Sequence, residues 1–287
     1  MQIGINQYRI PQNSKIDLTD IPTQDRNSPP KRVIRDEMVP QLRPQLRDWQ
    51  EKLYAENKQS LLIVLQAMDA GGKDGLIKHV MASVNPQGVH VASFKQPSLE
   101  ELDRDYLWRI NRALPRRGEI GIFNRSHYED VIITRVHNLI PNENFPAKLV
   151  DKDIWKKRFR QICDYERYLC ENGYQVVKIF LHISKEEQRQ RLLDRLNEPD
   201  KLWKFSSSDI KEREHWEEYQ KVLSEMISAT STEHAPWYVL PADKKWWGRF
   251  RTMQILIHHL EMMDPKYPKP SEEFMKNLDY WRKLLDG

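Results

Sequence analysis

"LLIVLQAMDAGGKDGLIKHV", residues 61–80, is the stretch from which the fold can be read. Leu61 to Gln66 is a short, almost wholly apolar run, the pattern of a strand buried on both faces. Gly71 and Gly72 then turn the chain, and a helix is expected from about Gly72 to Ser83. A glycine turn from a buried strand into a helix aims backbone N–H groups and the positive end of the helix dipole at one point. That arrangement is a cradle for an anion, and Lys73 adds a mobile positive charge to it.

The cradle departs from the usual phosphate-loop pattern, G-x-x-x-x-G-K-[ST]. Ala67 takes the place of the first glycine, Asp74 that of Ser or Thr, and an extra acid, Asp69, lies inside the loop. A carboxylate among phosphate oxygens is repelled unless a cation stands between them. Asp69 therefore points to Mg²⁺ held in or beside the loop; the plainer alternative is an Asx-type turn residue capping the helix. Asp74 either touches a metal-bound water or caps the helix.

Outward from the loop, strands and helices alternate. Further strands are expected at Gly88 to Phe94, Gly118 to Asn124, Tyr174 to Ser184 and Pro236 to Ala242. Helices are expected at Pro97 to Pro115, from near Ser126, from about Pro146 to Glu171, and after the Ser184–Glu187 capping box. This order predicts an α/β fold with a doubly wound parallel sheet. Residues 1–60 read as an irregular arm and a leader helix in which Pro40 and Pro44 are awkward. Residues 61–263 form the core, and 264–287 an amphipathic helical tail. Within the core, residues 197–232 are rich in Lys, Arg, Glu and Trp and read as a solvated helical lid.

The chain has 287 residues, enough for one large domain; Lys plus Arg exceeds Asp plus Glu by 46 to 42, a surplus that requires neither nucleic acid nor a membrane. Cys163 and Cys170, seven apart in a helical stretch, are too far apart for a disulfide and fit a reducing cytoplasm. No signal-peptide pattern and no membrane-length apolar run is present, so a soluble, cytoplasmic protein is expected.

Ligands of open α/β sheets bind beyond the carboxyl ends of the strands. The third strand ends there in "IFNRSHYEDVIITRV", residues 121–136 less the leading glycine, which places Asn124, Arg125 and Tyr128 near phosphates held by Lys73. Arg125 is a fork-shaped donor suited to phosphate oxygens. Glu129 and Asp130 lie one turn into the helix, where acids are also favoured for the helix dipole alone. Arg135, two turns on, is expected to face the same cleft. In the lid region Arg191 and Arg195 share a helix face, and Lys201 and Lys204 follow; they are read as polyanion ligands, against the alternative of a salt-bridged solvated helix. Phe94, Lys95 and Pro97, at the end of the second strand, are candidates for a base or ribose contact. His127 is read as structural.

The chain resembles the polyphosphate kinase 2 family, most closely its class III members. The matching stretches include "VLQAMDAGGKDGLIKHVM", "VNPQGVHVASFKQPS", "LWRINRALPRRGEIGIFNRSHYEDV" and "WKFSSSDIKERE", within residues 61–263. The resemblance implies a three-layer P-loop kinase fold with a central five-stranded parallel sheet and a helical lid. It implies transfer of the terminal phosphoryl group of inorganic polyphosphate to AMP and ADP, with GMP and GDP as further acceptors and Mg²⁺, or Mn²⁺ in its place, as cofactor. Asp69, Lys73, Arg125 and Arg135 would be catalytic; Gly71, Gly72, Lys73, Asp74, Arg191, Arg195, Lys201 and Lys204 would bind phosphate. Phe94, Lys95, Pro97, Asn124, Arg125, Tyr128 and Glu129 would meet the nucleotide, and Asp69, Asn124 and Asp130 the metal. Many members carry Asp where Asn124 stands, and the family pattern usually has Ala at Gly71, a change expected only to loosen the loop. A homo-oligomer, dimer or tetramer, is implied. The competing expectations are an ATP-dependent nucleoside monophosphate kinase of thymidylate-kinase type and a non-catalytic polyanion-binding module.

Overall fold

The computed structural model describes residues 4–140 and 145–286. Its centre is a five-stranded, all-parallel sheet in the order β2-β3-β1-β4-β5. The strands are β1 Ser60–Ala67, β2 Val89–Ser93, β3 Ile120–Asn124, β4 Tyr174–His182 and β5 Trp237–Pro241. β1 is the middle strand and is buried over nearly its whole length, as its apolar run requires. The carboxyl ends of β1 and β3 lie side by side, with Leu65 paired to Asn124. That register brings the glycine loop and the Asn124–Arg125 turn together.

The helices around the sheet are α1 Val39–Glu56, α2 Lys73–Val80, α3 Leu99–Leu102, α4 Trp108–Arg112, α5 Glu129–Val136 and α6 Ile154–Glu171. They continue as α7 Lys185–Asn197, α8 Ser207–Glu214, α9 Trp216–Thr230, α10 Lys245–Met263 and α11 Glu272–Leu285. Among the described residues no helix is long and apolar enough to cross a membrane. Cys163 and Cys170 are both free thiols.

Several expected elements are corrected. The stretch Pro97 to Pro115 is two short helices, because the Asp105 side chain accepts the Leu107 N–H at 2.9 Å and restarts the chain as an Asx turn. Its first part is where a complete capping box occurs, between Ser98 and Glu101. At α7 the box is half formed: Ser184 caps Glu187 N–H, but the Glu187 carboxylate accepts from Arg191 instead. α6 starts eight residues later than expected, after a 3-10 turn at Ala147–Leu149. Pro40 and Pro44 do not break α1; Pro40 lies in its first turn, next to a π-turn at Ile34–Met38 that shifts the hydrogen-bond register.

The region 197–232 divides in two. Pro199–Lys204 and most of α8 are exposed, but α9 buries Trp216, Tyr219, Val222, Leu223, Met226 and Ile227 and belongs to the core. The described part of the irregular arm lies against the sheet. Arg9 bridges Tyr238 antiparallel, and Ile10 N–H donates to Trp237 O at 2.8 Å, so the arm covers the open edge of β5.

His259 on α10 is buried beside Tyr238, whose hydroxyl lies 3.0 Å from Nε2. Burial, reinforced by His258 and Arg9, pushes its pKa down to about 3. The unfolded chain therefore takes up this proton first as pH falls from about 6.5, while the folded protein keeps a neutral ring until about 3. This histidine should remove stability over that window at up to about 1.4 kcal/mol per pH unit. Urea unfolding of His259→Gln and the native protein should show their stability difference changing in the variant's favour as pH falls, and a constant difference would contradict it.

Candidate functional site

The loop Met68–Gly72 sits between β1 and α2. Ala70 and Gly72 both take left-handed backbone, φ 59° and 99°, the alternation that turns successive N–H groups towards a common point. Gly71 is required by close approach. A Cβ there would lie 2.4 Å from the Ala67 Cβ and 2.7 Å from Met68 O, neither of which can swing away. The expectation that glycine in place of the family's alanine only loosens the loop is thus corrected: beside the Ala67 methyl, position 71 has no room for a Cβ. Gly71→Ala should displace the loop and cost turnover about 10²-fold. Ala67→Gly added to it should restore part of that loss; equal activity of Gly71→Ala and native protein would refute this.

Six predicted residues, Asp69, Lys73, Asp74, Asn124, Arg125 and Glu129, meet at the loop. Arg125 is itself left-handed, φ 65°, a conformation that costs roughly 1 kcal/mol for a non-glycine residue. Its N–H donates to Leu65 O at 3.1 Å, and its guanidinium donates to Asp69 at 2.8 Å and to Glu129 at 3.4 Å. The turn thus swings the side chain back over the loop. Lys73 Nζ donates to Ala67 O at 3.2 Å. Desolvation pulls its pKa below the ordinary lysine range and the Arg125 charge adds to this, while Asp69, Glu129 and Asp74 oppose. Desolvation raises the Glu129 pKa, against Arg125 and Lys73. Asn124 donates its amide to Asp74 at 2.8 Å, which ties the end of β3 to the first turn of α2. Asp74 therefore ties the start of α2 to the turn after β3.

The carboxylates of Asp69, Glu129 and Asp74 supply hard oxygen donors around Lys73 and Arg125. Among the described residues they do not form a ready-made metal site. A Mg²⁺ ion typically uses only one or two carboxylates and completes its shell with phosphate oxygens and water, so this donor set fits one.

Other predicted residues lie elsewhere. Asp130 leaves α5 about 100° round from Glu129, as neighbours on a helix do, and is paired with Arg109 at 3.3 Å; its assignment as a metal ligand beside Asp69 is corrected. Arg135 is taken up by Glu225 at 2.6 Å and lies against Trp155, not over the loop. Tyr128 is fully buried: its hydroxyl donates to Glu166 at 2.8 Å and accepts from Lys178 at 3.0 Å. That rules out a nucleotide contact by Tyr128, and buried Phe94 packs edge-on against Phe123. His127 is structural, buried at 3.4 Å from Glu166. Lys95 contributes its carbonyl, which accepts from Arg109 at 2.9 Å.

The basic residues of the lid region are mostly engaged. All of the N–H groups of Arg191 are used by protein oxygens, so its assignment as a direct phosphate ligand is corrected. Arg195 donates to Asp209 and to Lys204 O, and Lys201 pairs with Glu198. Lys204 is exposed, stacked beside Trp203. Two basic residues not singled out in the sequence, Lys245 and Arg249, lie on α10. Arg249 comes within 3.1 Å of the space beside Gly75 in α2. Lys245, one turn earlier on α10, and Arg249 both have pKa values lowered by desolvation and by the Arg191 charge.

Two hollows flank α5. A narrow one, about 30 Å³, is lined by Asp69, Arg125, Glu129, Gln188, Glu212 and Tyr219. A larger cavity of about 480 Å³ lies on the Asp130 side, with Pro97, Tyr106, Arg109, Phe145, Arg158 and Gln161 among its walls. Arg158 stacks on Tyr106 at 4.0 Å, and its Nη1 has no hydrogen-bond partner among the described residues. Of these only Pro97 and Asp130 were singled out in the sequence.

The family description that matches residues 31–268 is "Polyphosphate kinase 2 (PPK2)". An "AMP/ADP-polyphosphate phosphotransferase" of Meiothermus ruber is 50% identical over 229 residues, which is 80% of this chain and 82% of that one. An "ADP-polyphosphate phosphotransferase" of Rhodopseudomonas palustris is 42% identical, with 99% of each chain covered. Among solved structures, polyphosphate kinase 2 from Arthrobacter aurescens superimposes with a TM-score of 0.86 at 36% identity, covering 96% of this chain and 95% of that one.

Proposed function

Because the chain belongs to the polyphosphate kinase 2 family, we infer that it is a polyphosphate-dependent nucleotide kinase that phosphorylates AMP and ADP. The observation that carries this reading at the residue level is the Asp69–Arg125–Glu129 cluster set over the Lys73 loop, with α5 as a wall between it and a larger, mostly apolar cavity.

Polyphosphate is a flexible polyanion without a base. It needs positive charge along its path and little shape, and Lys73, Arg125, Lys245 and Arg249 supply that. The nucleotide needs walls for a flat ring and a few polar groups. Tyr106, Phe145, Arg109 and Arg158 offer these, and the same apolar walls suit GMP and GDP. The attacking atom is an anionic phosphate oxygen, so no general base is needed. Catalysis is alignment plus charge neutralisation. Arg125, clamped by Asp69 and Glu129, holds its fork over the loop, and Lys73 follows the phosphoryl group as it moves. Mg²⁺, or Mn²⁺ in its place, held by Asp69 with Glu129 or Asp74, would neutralise phosphate charge when bound. The exposed apolar side chains of α11, Phe274, Tyr280 and Trp281 among them, support assembly into a homo-oligomer.

The test is a donor comparison with purified protein, Mg²⁺ and either AMP or ADP. Polyphosphate should yield ADP from AMP and ATP from ADP. Phosphorylation of AMP by ATP alone would make the protein an ordinary monophosphate kinase, and no product from either donor would leave a binding module.

A further inference from the structure

The phosphate loop is gripped from behind by α7. Gln188 Nε2 donates to Asp69 O at 3.0 Å. Arg191, one turn on and 4% exposed, donates Nη1 to Ala70 O at 3.1 Å and to Gly71 O at 2.9 Å. Its Nη2 donates to Ala242 O at 2.6 Å and Asp243 O at 3.1 Å, just past β5, and its Nε to Glu187 at 2.7 Å. One helix face therefore holds the carbonyls of three successive loop residues. A peptide whose carbonyl is drawn to one side turns its N–H to the other, which here is the cradle. The grip also has a handle on the exposed segment: Arg213 of α8 donates to Gln188 Oε1 at 2.9 Å and to Lys185 O at 2.6 Å.

We propose that Gln188 and Arg191 are positioning residues that set the phosphate loop's N–H groups for the donor, and that Arg213 couples this grip to the placement of α8. The loop conformation needs such an external hold, because Ala70 is left-handed without being glycine. Arg191 acts by its planar, five-donor shape and not by its charge: a lysine has three donors and cannot bridge two carbonyl pairs at once. When α8 shifts, Arg213 leaves Gln188, the amide is free to rotate, and the Asp69 carbonyl loses its tether. Donor binding on the loop and closure of α8 then favour one another.

This inference rests on the kinase reading, so one readout is independent of turnover: calorimetric binding of inorganic tripolyphosphate, alongside steady-state kinetics and thermal midpoints. Arg191→Lys and Arg191→Gln should weaken tripolyphosphate binding alike, by about tenfold or more, and raise KM for polyphosphate while KM for ADP stays near native. If Arg191→Lys binds like the native protein while Arg191→Gln does not, Arg191 is a charge contact and the proposal falls. Should both Arg191 variants fail to fold, Gln188→Glu decides: it keeps the acceptor for Arg213 but cannot donate to Asp69 O. A normal polyphosphate KM in Gln188→Glu overturns the grip. Arg213→Gln, at a part-exposed position, should raise the polyphosphate KM a few-fold with an unchanged midpoint; no change overturns the coupling to α8. Native protein that binds tripolyphosphate but transfers nothing would sink the kinase reading and leave the grip to be judged by binding alone.

Discussion

Lys73→Ala should lower kcat with polyphosphate by about 10³-fold or more, with little change in stability. The two halves of this expectation have one origin. The Lys73 ammonium is desolvated and, among the described residues, makes a single hydrogen bond, to Ala67 O. Arg125 lowers its pKa further, so in the absence of substrate the charge is poorly accommodated. It becomes favourable only when phosphate arrives, and most so when charge spreads over the oxygens of the transferring group. Removing it therefore takes away an interaction of the transition state and little from the fold, and alanine is a good residue at the start of a helix. The check is kcat together with the thermal midpoint. Activity within tenfold of native, in a folded variant, would take Lys73 out of the mechanism.

Asp69→Asn should cost turnover about 10²-fold to 10³-fold, and for a different reason. The amide keeps the shape of the carboxylate, so packing is preserved, but the charge-assisted bond from Arg125 at 2.8 Å is weakened. Arg125 then stands on Glu129 alone, at the longer 3.4 Å, and its fork drifts from the loop. A divalent ion beside the loop would lose its charged ligand as well. The variant should therefore require more Mg²⁺ for half-maximal rate than the native enzyme. An unchanged Mg²⁺ requirement with reduced kcat would assign Asp69 to the orientation of Arg125 only.

Features encoded locally were legible in the sequence. The strands came within two residues of their bounds because a buried parallel strand is a short apolar run and glycine punctuates its ends. The loop and Arg125 could be found for the same reason: both follow directly from strand ends. What partners arrive from distant segments was not legible. Tyr128 is claimed by Glu166 and Lys178, Arg135 by Glu225, and Arg191 by the carbonyls at residues 70, 71, 242 and 243. Glu129 and Asp130 are neighbours in sequence yet face different hollows. Other misses were avoidable. α9 shows apolar residues at helical spacing, Trp216, Tyr219, Leu223, Met226 and Ile227, diluted only by averaging over the charged residues before it. Lys245 and Arg249 repeat the i, i+4 basic spacing that drew attention to Arg191 and Arg195, and they too follow a strand end.

The most direct test of the account is the fate of labelled phosphate. Purified protein, Mg²⁺ and unlabelled ADP are mixed with ³²P-polyphosphate in solution free of ATP. Direct transfer predicts label in the γ-phosphate of newly formed ATP, one labelled phosphate lost from the chain for each ATP formed, and no matching release of orthophosphate. Loss of chain phosphate to orthophosphate without labelled ATP would contradict it.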